Sequence, residues 1–382
     1  MLSNHIAVIH PSSELYGADR ILVEALKASE KSTKKTVYLR QEGPLVKYIQ
    51  KNVDNVEVKI ISFLPIIAKN EFGVKGVLKF IRNMFKFQRF IKKEQKKNKF
   101  NSYYLNTFAT AFMLFNIRRF RVKKVIHVHE IIESPAVMNK LLSRISNKYA
   151  DLVICVSKAV KDNITKNLKS ESKIIVLHNG IPSLAIEKEA SASDPLKFYL
   201  FGRIMPKKGQ WLLIQALSKI PKEKLTNVKF NIVGGVLAGH EHQLEDLKSL
   251  ISSNSLDSFV DILPFSNDIT PLMEDASVCL VPSTMKDPFP TTVLEAMSAG
   301  RLVIASNGGG ATEAIQHNKT GLLFSTSDAD SLKNKIEQVL DDPSGAIEMG
   351  NSGLVRFQKL FTTEIFRKNW ISAHQSFKTN LI

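Results

Sequence analysis

The segment Val281–Ile315, VPSTMKDPFPTTVLEAMSAGRLVIASNGGGATEAI, concentrates residues able to grip a ligand rich in hydroxyls and phosphate. An apolar run ends at Val281–Pro282, a Pro-rich loop follows, and the pattern predicts a helix from about Thr291. The exposed amides and positive dipole end of such a helix suit phosphate or polarised sugar oxygens. Asp287 in the loop and Glu295 in the helix stand eight positions apart. Ionised carboxylates make short, strong hydrogen bonds to vicinal hydroxyls. An acid in the first turns of a helix can equally well do no more than offset the dipole.

A second cluster, Phe201-Gly202-Arg203-Ile204-Met205-Pro206-Lys207-Lys208-Gly209, lies between an apolar run and a helical one. Fixed cations at such a junction neutralise a diphosphate, Arg by a bidentate grip and Lys as a point charge. A solvated basic turn is the plainer account. Further upstream, Gly17 precedes a helical stretch after Ile6–His10 and allows close backbone approach to a phosphate or sugar. The run Val125–Val128 ends in His129-Glu130, where a histidine can hydrogen-bond a sugar hydroxyl or a phosphate. We expect His129 rather than His127 to do so, with the His127 side chain pointing the other way.

These positions all fall at the ends of short apolar runs that alternate with helical periods. Ile6–His10, Thr36–Leu39, Val56–Ile61, Ser102–Leu105, Val125–Val128, Leu152–Val156 and Ile174–Leu177 read as strands, with Ala18–Ser29 and Lys140–Ala150 among the intervening helices. The rhythm restarts with strands at Lys197–Phe201, Phe230–Val233, Val260–Ile262, Ser277–Val281 and Leu302–Ala305. Helices are expected over Gly209–Leu217, His242–Ser252, Thr292–Ala299, Ser331–Leu340 and Phe361–Phe377. This is the signature of two α/β, doubly wound parallel sheets. A joining segment near His178–Ala192, with Asn-Gly and Ile-Pro turn signals, divides residues 1–180 from 181–360. The tail 361–382 is expected to pack back on the first domain. A length of 382 residues also exceeds what one core usually organises. In open α/β sheets ligands bind beyond the carboxyl ends of the strands, so two facing sheets would enclose a cleft.

Taken together, these motifs resemble the retaining GT-B glycosyltransferases of the family-4 type (glycosyl transferases group 1), over nearly the whole chain. The matching positions are Asp287, Phe289, Glu295, Ala296, Met297 and Gly300, the Gly308–Gly310 turn with Glu313, and Gly202-Arg203 followed by Lys208-Gly209. Asp287 stands where Glu is usual, one methylene shorter, and Tyr16-Gly17 replaces a Gly pair. His178 replaces a Pro before Asn179-Gly180-Ile181, a segment expected to be a structural hinge. The resemblance implies that Arg203 and Lys208 hold the donor diphosphate, Asp287 and His129 meet the sugar, and Glu295 takes the ribose hydroxyls. Gly17, Phe289, Pro290 and Thr291 would complete the donor site. It further implies a nucleotide-sugar substrate, no metal or other cofactor, and a hexose-type product of bacterial surface-polysaccharide, lipopolysaccharide or capsule assembly. No Asp-x-Asp follows a strand in the first half, and no Cys/His cluster has zinc spacing. Asp328-Ala329-Asp330 reads as a capping turn.

Charge is divided unevenly. Residues 1–180 carry 33 Lys+Arg against 14 Asp+Glu, or +19; the remainder carries 20 against 22, or −2, giving the total of +17. Such asymmetry suggests an anionic partner for the first half. Over Val77–Ile91 and the basic stretch that follows it, the cations Lys79, Arg82, Lys86, Arg89 and Lys93 fall on one helix face, with Val77, Phe80, Ile81, Met84, Phe87 and Ile91 opposite. That pattern suits an anionic membrane surface, and equally a helix packed by its apolar side with a solvated basic exterior. A lipid-linked saccharide acceptor at the inner leaflet would account for both the charge and the resemblance. Cys155 and Cys279 sit in apolar runs and read as small buried residues of a reducing compartment. With no signal peptide and no apolar run of about 20 residues, the expected location is cytoplasmic, with peripheral membrane contact at most. Two other function classes compete: a nucleotide-sugar epimerase of the same fold, and a nucleic-acid-binding protein suggested by a pI of 9.6. No recognition motif supports nucleic acid as a partner.

Overall fold

A computed structural model describes residues 4–66, 73–188, 191 and 194–376. Ala192, which ends the expected joining segment, and Phe377, which ends the expected terminal helix, lie outside the described residues. The chain divides into two compact units, Met1–Gly180 with Thr363–Ile382, and Ile181–Thr362.

The first unit is built on seven strands: β1 (His5–Ile9), β2 (Lys34–Leu39), β3 (Val56–Ile60), β4 (Ser102–Asn106), β5 (Lys123–Val128), β6 (Leu152–Cys155) and β7 (Ile174–Val176). Their order is β3-β2-β1-β4-β5-β6-β7, and every pairing is parallel. Helices cover both faces, so the central strands read as continuous apolar runs rather than alternating ones. Ala7, Val8, Ile9, Val37 and Ile126 are all fully buried. The chain reverses its direction of winding between β1 and β4, which places the ligand crevice of the unit there.

The second unit repeats the plan with β8 (Leu196–Phe201), β9 (Val228–Val233), β10 (Val260–Leu263), β11 (Val278–Val281), β12 (Leu302–Ser306) and β13 (Leu322–Phe324). The order is β10-β9-β8-β11-β12-β13, again parallel, with its switch point between β8 and β11. Its core joins Phe198, Phe230, Ile232, Leu280, Ile304 and Phe324. The expected α/β architecture of two doubly wound sheets is therefore present.

Several local readings need correction. β13 spans only three residues, too short to register as a periodic run. The helix Pro343–Leu360 carries Gly345, Gly350 and Gly353, whose low helix propensity masks its periodicity. Asp328 does cap the helix Ala329–Asp341, accepting from Ser331 N at 2.9 Å. Cys155 and Cys279 are free and buried, and burial pushes the Cys279 thiol up to about 12.

The basic helix is longer than its signature, Val74–Asn98, and its apolar residues do not share one face. Asn83, Phe87 and Ile91 are buried against the unit, whereas Val74, Val77, Leu78, Ile81 and Phe85 are exposed, Val74 by 79% and Phe85 by 66%. At 100° per residue the exposed set forms a stripe of its own. The exposed cations Lys75, Lys79, Arg82, Lys86, Arg89 and Lys93 run alongside that stripe. Three faces replace the two expected, because spacing alone cannot say which apolar residues find a partner. Among the described residues no helix is long and apolar enough to cross a membrane.

Candidate functional site

In the second unit the switch point is walled by the loops after β8 and β11. After Phe201 the chain runs through Gly202 and the partly buried Arg203 to a 3-10 turn at Pro206–Lys208. Gly209 then adopts φ +86°, and a Cβ there would lie 1.9 Å from the Pro282 carbonyl oxygen. Only glycine lets the start of the helix Gln210–Leu217 sit so close to the end of β11. Gln210 is fully buried and its Nε2 donates to Arg203 O at 2.9 Å. It holds the loop that carries Arg203, a role that no charge or spacing in the sequence marks.

The loop after β11 is stitched to the first one. Thr284 N donates to Lys207 O at 3.1 Å and Thr284 Oγ1 to Pro206 O at 3.3 Å. Lys208 Nζ then reaches Asp287 Oδ2 at 3.3 Å, with the two side chains 39% and 17% exposed. The structure thus brings together one cation and one acid from motifs 79 positions apart. A group at this point can meet a phosphate on one side and a hydroxyl on the other.

The Gly308–Gly310 turn serves this loop. Gly310 N donates to Asp287 O at 2.8 Å, and a Cβ on Gly309, at φ +80°, would lie 2.1 Å from the same oxygen. These glycines thus approach the backbone of Asp287 and Pro288 closely. Phe289 is 4% exposed with its ring 5.7 Å from that of Phe361, so its side chain anchors the loop from beneath. Pro290 is the N-cap of the helix Thr291–Ser298, which Thr291 opens and which carries the partly buried Glu295 one turn on. The amides of that first turn have no partner within the helix.

In the first unit the carboxyl ends of β1, β4 and β5 carry a polar cluster. Gly17 is the first residue of the helix Gly17–Lys27, and Asp19 Oδ2 accepts from Tyr16 N at 2.8 Å, stapling its start. Asp19 Oδ1 lies 2.6 Å from His10 Nε2. His10 Nδ1 accepts from Asn106 Nδ2 at 3.0 Å, and Asn106 Oδ1 lies 2.9 Å from His129 Nε2. Tyr104 Oη also donates to Asn106 Oδ1, at 2.9 Å. His10, Asp19 and Asn106 are 1%, 2% and 0% exposed.

Glu130 braces the backbone here. Its Oε2 accepts from His129 N at 3.0 Å and from Phe108 N at 2.9 Å. Burial pushes the Glu130 carboxyl above its ordinary range, against the pull of these amides. Burial pulls the His129 imidazole down to about 3, so that it is neutral near pH 7.

The expectation that His127 points away from His129 is wrong. Residues two apart on a strand share a face, and the two rings are 4.1 Å apart. His127 is fully buried, linked through Nδ1 to Tyr104 Oη at 3.0 Å. It is burial, not direction, that separates the two histidines. Among the described residues no group of three or more His, Cys, Asp or Glu side chains is placed to hold a metal ion.

Comparison with known proteins follows the same two halves. Residues 184–354 match the family model Glycosyl transferases group 1, and residues 50–183 match Glycosyltransferase Family 4. An uncharacterized glycosyltransferase of Methanocaldococcus jannaschii is 28% identical over 59% of this chain and 61% of its own length. The capsular polysaccharide biosynthesis glycosyltransferase CapM of Staphylococcus aureus is 26% identical over 62% of this chain and 64% of its own. The chain thus spans less than two thirds of these relatives. The Anabaena protein HepE, solved with UDP and glucose, superposes with a TM-score of 0.79 at 22% identity, covering 97% of this chain and 99% of that one. On these matches the chain carries consecutive glycosyltransferase domains on the GT-B fold.

Proposed function

We propose that the protein is a retaining glycosyltransferase that moves a hexose-type sugar from a nucleoside diphosphate to an acceptor hydroxyl, without a metal ion. The observation that carries this reading is the Lys208–Asp287 pair at the switch point of the second unit. Arg203 and Lys208 hold the diphosphate and stabilise the charge that grows on it as it leaves. Glu295 accepts from the ribose hydroxyls, Asp287 and His129 from sugar hydroxyls. The Gly17 amide and the Thr291 amide, the latter presented by Pro290 and Phe289, approach the phosphates. As the bond from C1 to phosphate oxygen breaks, the acceptor oxygen bonds to C1 from the same face and its proton passes to the departing phosphate. No side chain acts as nucleophile.

The acceptor in this reading is a lipid-linked saccharide of surface-polysaccharide assembly, met at the anionic inner leaflet by a cytoplasmic, peripheral protein. Support comes from the naming of the capsular relative and from the Val74–Asn98 helix, whose exposed apolar stripe and adjoining cations suit an interface helix. The comparisons favour neither an epimerase nor a nucleic-acid-binding protein. The test is a thermal-shift screen of UDP, GDP, dTDP and their sugars against the wild type, Glu295→Ala and Lys208→Ala. Stabilisation by one nucleotide that both variants lose supports the donor site. No shift with any nucleotide sinks it.

A further inference from the structure

We infer that Asp19, His10 and Asn106 form a one-way hydrogen-bond chain that sets the tautomer of His129, so that His129 meets its ligand only as an acceptor, at Nδ1. The placement of a sugar at His129 rests on the function proposed above; the direction of the chain does not.

The direction follows from which atoms can donate. The Asp19 carboxylate already accepts from Tyr16 N at 2.8 Å and from Ser12 Oγ at 3.3 Å. Its other oxygen, 2.6 Å from His10 Nε2, can therefore only receive a proton-bearing nitrogen. Asn106 Nδ2, which can only donate, faces His10 Nδ1 at 3.0 Å, so that nitrogen offers its lone pair. The orientation of that amide has independent support. Asn106 Nδ2 also lies 3.5 Å from the Ala18 carbonyl oxygen, which tolerates a donor and repels an oxygen. On the opposite side Asn106 Oδ1 receives the Tyr104 hydroxyl at 2.9 Å. Oδ1 is a pure acceptor, so His129 Nε2, 2.9 Å away, carries the ring proton. Nδ1 is left with its lone pair and has no partner among the described residues. The lowered proton affinity of the ring acts in the same sense, since it disfavours the imidazolium that would place a proton on both nitrogens.

The chemical consequence is a choice that histidine alone leaves open. A ring nitrogen with only a lone pair accepts from a hydroxyl and cannot donate to a carboxylate or a phosphate oxygen. His129 is thus built to favour a neutral sugar hydroxyl over a uronate. Asp19 and His10 are positioning residues, acting through Asn106 and never touching the ligand. Asp19→Asn should reverse the chain. The amide oxygen stays with Tyr16 N, the amide nitrogen faces His10 Nε2, His10 passes its proton to Nδ1, Asn106 turns over, and His129 becomes protonated at Nδ1.

The test uses the full chain labelled with 15N-histidine and long-range 1H–15N correlation at pH 7, with signals assigned by His129→Gln and His10→Gln. The expected spectrum has His10 and His129 neutral and both protonated at Nε2 only, with His129 moving to the Nδ1-protonated form in Asp19→Asn. A wild-type His129 protonated at Nδ1, or a His10 protonated on both nitrogens, overturns the chain. A circular-dichroism check guards against misfolding, and Asn106→Leu supplies a second cut that should leave His129 as a tautomer mixture. Binding of UDP, UDP-glucose and UDP-glucuronic acid then reads the consequence. Asp19→Asn should weaken UDP-glucose about tenfold relative to UDP and narrow its advantage over UDP-glucuronic acid. Equal losses for UDP and UDP-glucose overturn the acceptor role of His129. The expected tautomers with no binding of these probes, nor of GDP, dTDP or their sugars, overturn the proposed function instead.

Discussion

Replacing Lys208 with Met separates two quantities that the Lys208–Asp287 pair combines: what the lysine does for the fold and what it does for a bound diphosphate. The pair is 3.3 Å apart, with side-chain exposures of 39% and 17%. At that distance Coulomb attraction is about 1 kcal/mol in water and about 5 kcal/mol at an effective dielectric of 20. With one partner this exposed, solvent screening and lost side-chain entropy bring the measured worth of such pairs to about 0.2–1 kcal/mol. Lys208→Met keeps the aliphatic stem over the loop, so the urea midpoint should shift by less than about 1 kcal/mol in equivalent stability. A diphosphate is another matter, because a charge-assisted bond in a walled site contributes about 1.5–3 kcal/mol. That is roughly a tenfold to hundredfold rise in Kd for UDP. Titration calorimetry with UDP and urea unfolding of the same preparations give both numbers. Adding Asp287→Asn completes a double-mutant cycle whose coupling in the free protein should stay below about 1 kcal/mol. The reasoning is refuted if UDP binds Lys208→Met as tightly as the wild type, or if the variant loses more stability than binding.

Gly209→Ala should cost at least about 3 kcal/mol and lower the urea midpoint at unchanged slope, because φ +86° and a Cβ 1.9 Å from Pro282 O cannot both be relieved locally; a change below about 1 kcal/mol would mean that the two loops are not held as described. Leu78→Asp with Phe85→Asp should leave unfolding unchanged, since both side chains are exposed, and should reduce sedimentation with phosphatidylglycerol vesicles at least tenfold. Raising salt should weaken wild-type sedimentation, and equal binding to neutral phosphatidylcholine vesicles would count against the basic stripe. His127 and His129 make stability depend on acid. The imidazoles of His127 and His129 lie below their ordinary value of 6.5 in the folded chain, so below that pH the unfolded chain binds protons that the folded one does not. Stability should therefore be full above about pH 6.5 and fall as pH drops, by up to about 1.4 kcal/mol per pH unit for one such group. Urea midpoints from pH 7 to 5 measure this, His127→Phe should flatten the slope, and a flat wild-type profile would refute it.

Much of this architecture is legible in order along the chain, because a strand buried on both faces announces itself as an apolar run and a site loop follows each run. The two loops of the second unit are motifs of this kind, each complete within about ten residues. The cluster around His129 is not. His10 and Asn106 are ordinary residues ending ordinary strands, 96 positions apart, and nothing near either one marks it. They meet because β1 neighbours β4, and β4 neighbours β5, an order that crossover connections produce and local spacing does not reveal. The same reasoning explains the error over His127. Its alternation with His129 was available from strand geometry, but its burial depends on Tyr104 and Trp370, whose rings lie 6.3 and 5.5 Å away and come from distant parts of the chain. A switch point therefore does more than open a crevice. By setting β1 beside β4 it lets the start of the first helix, through Asp19, govern the proton of a histidine just past the end of a third strand, a coupling that exists only once the sheet has formed.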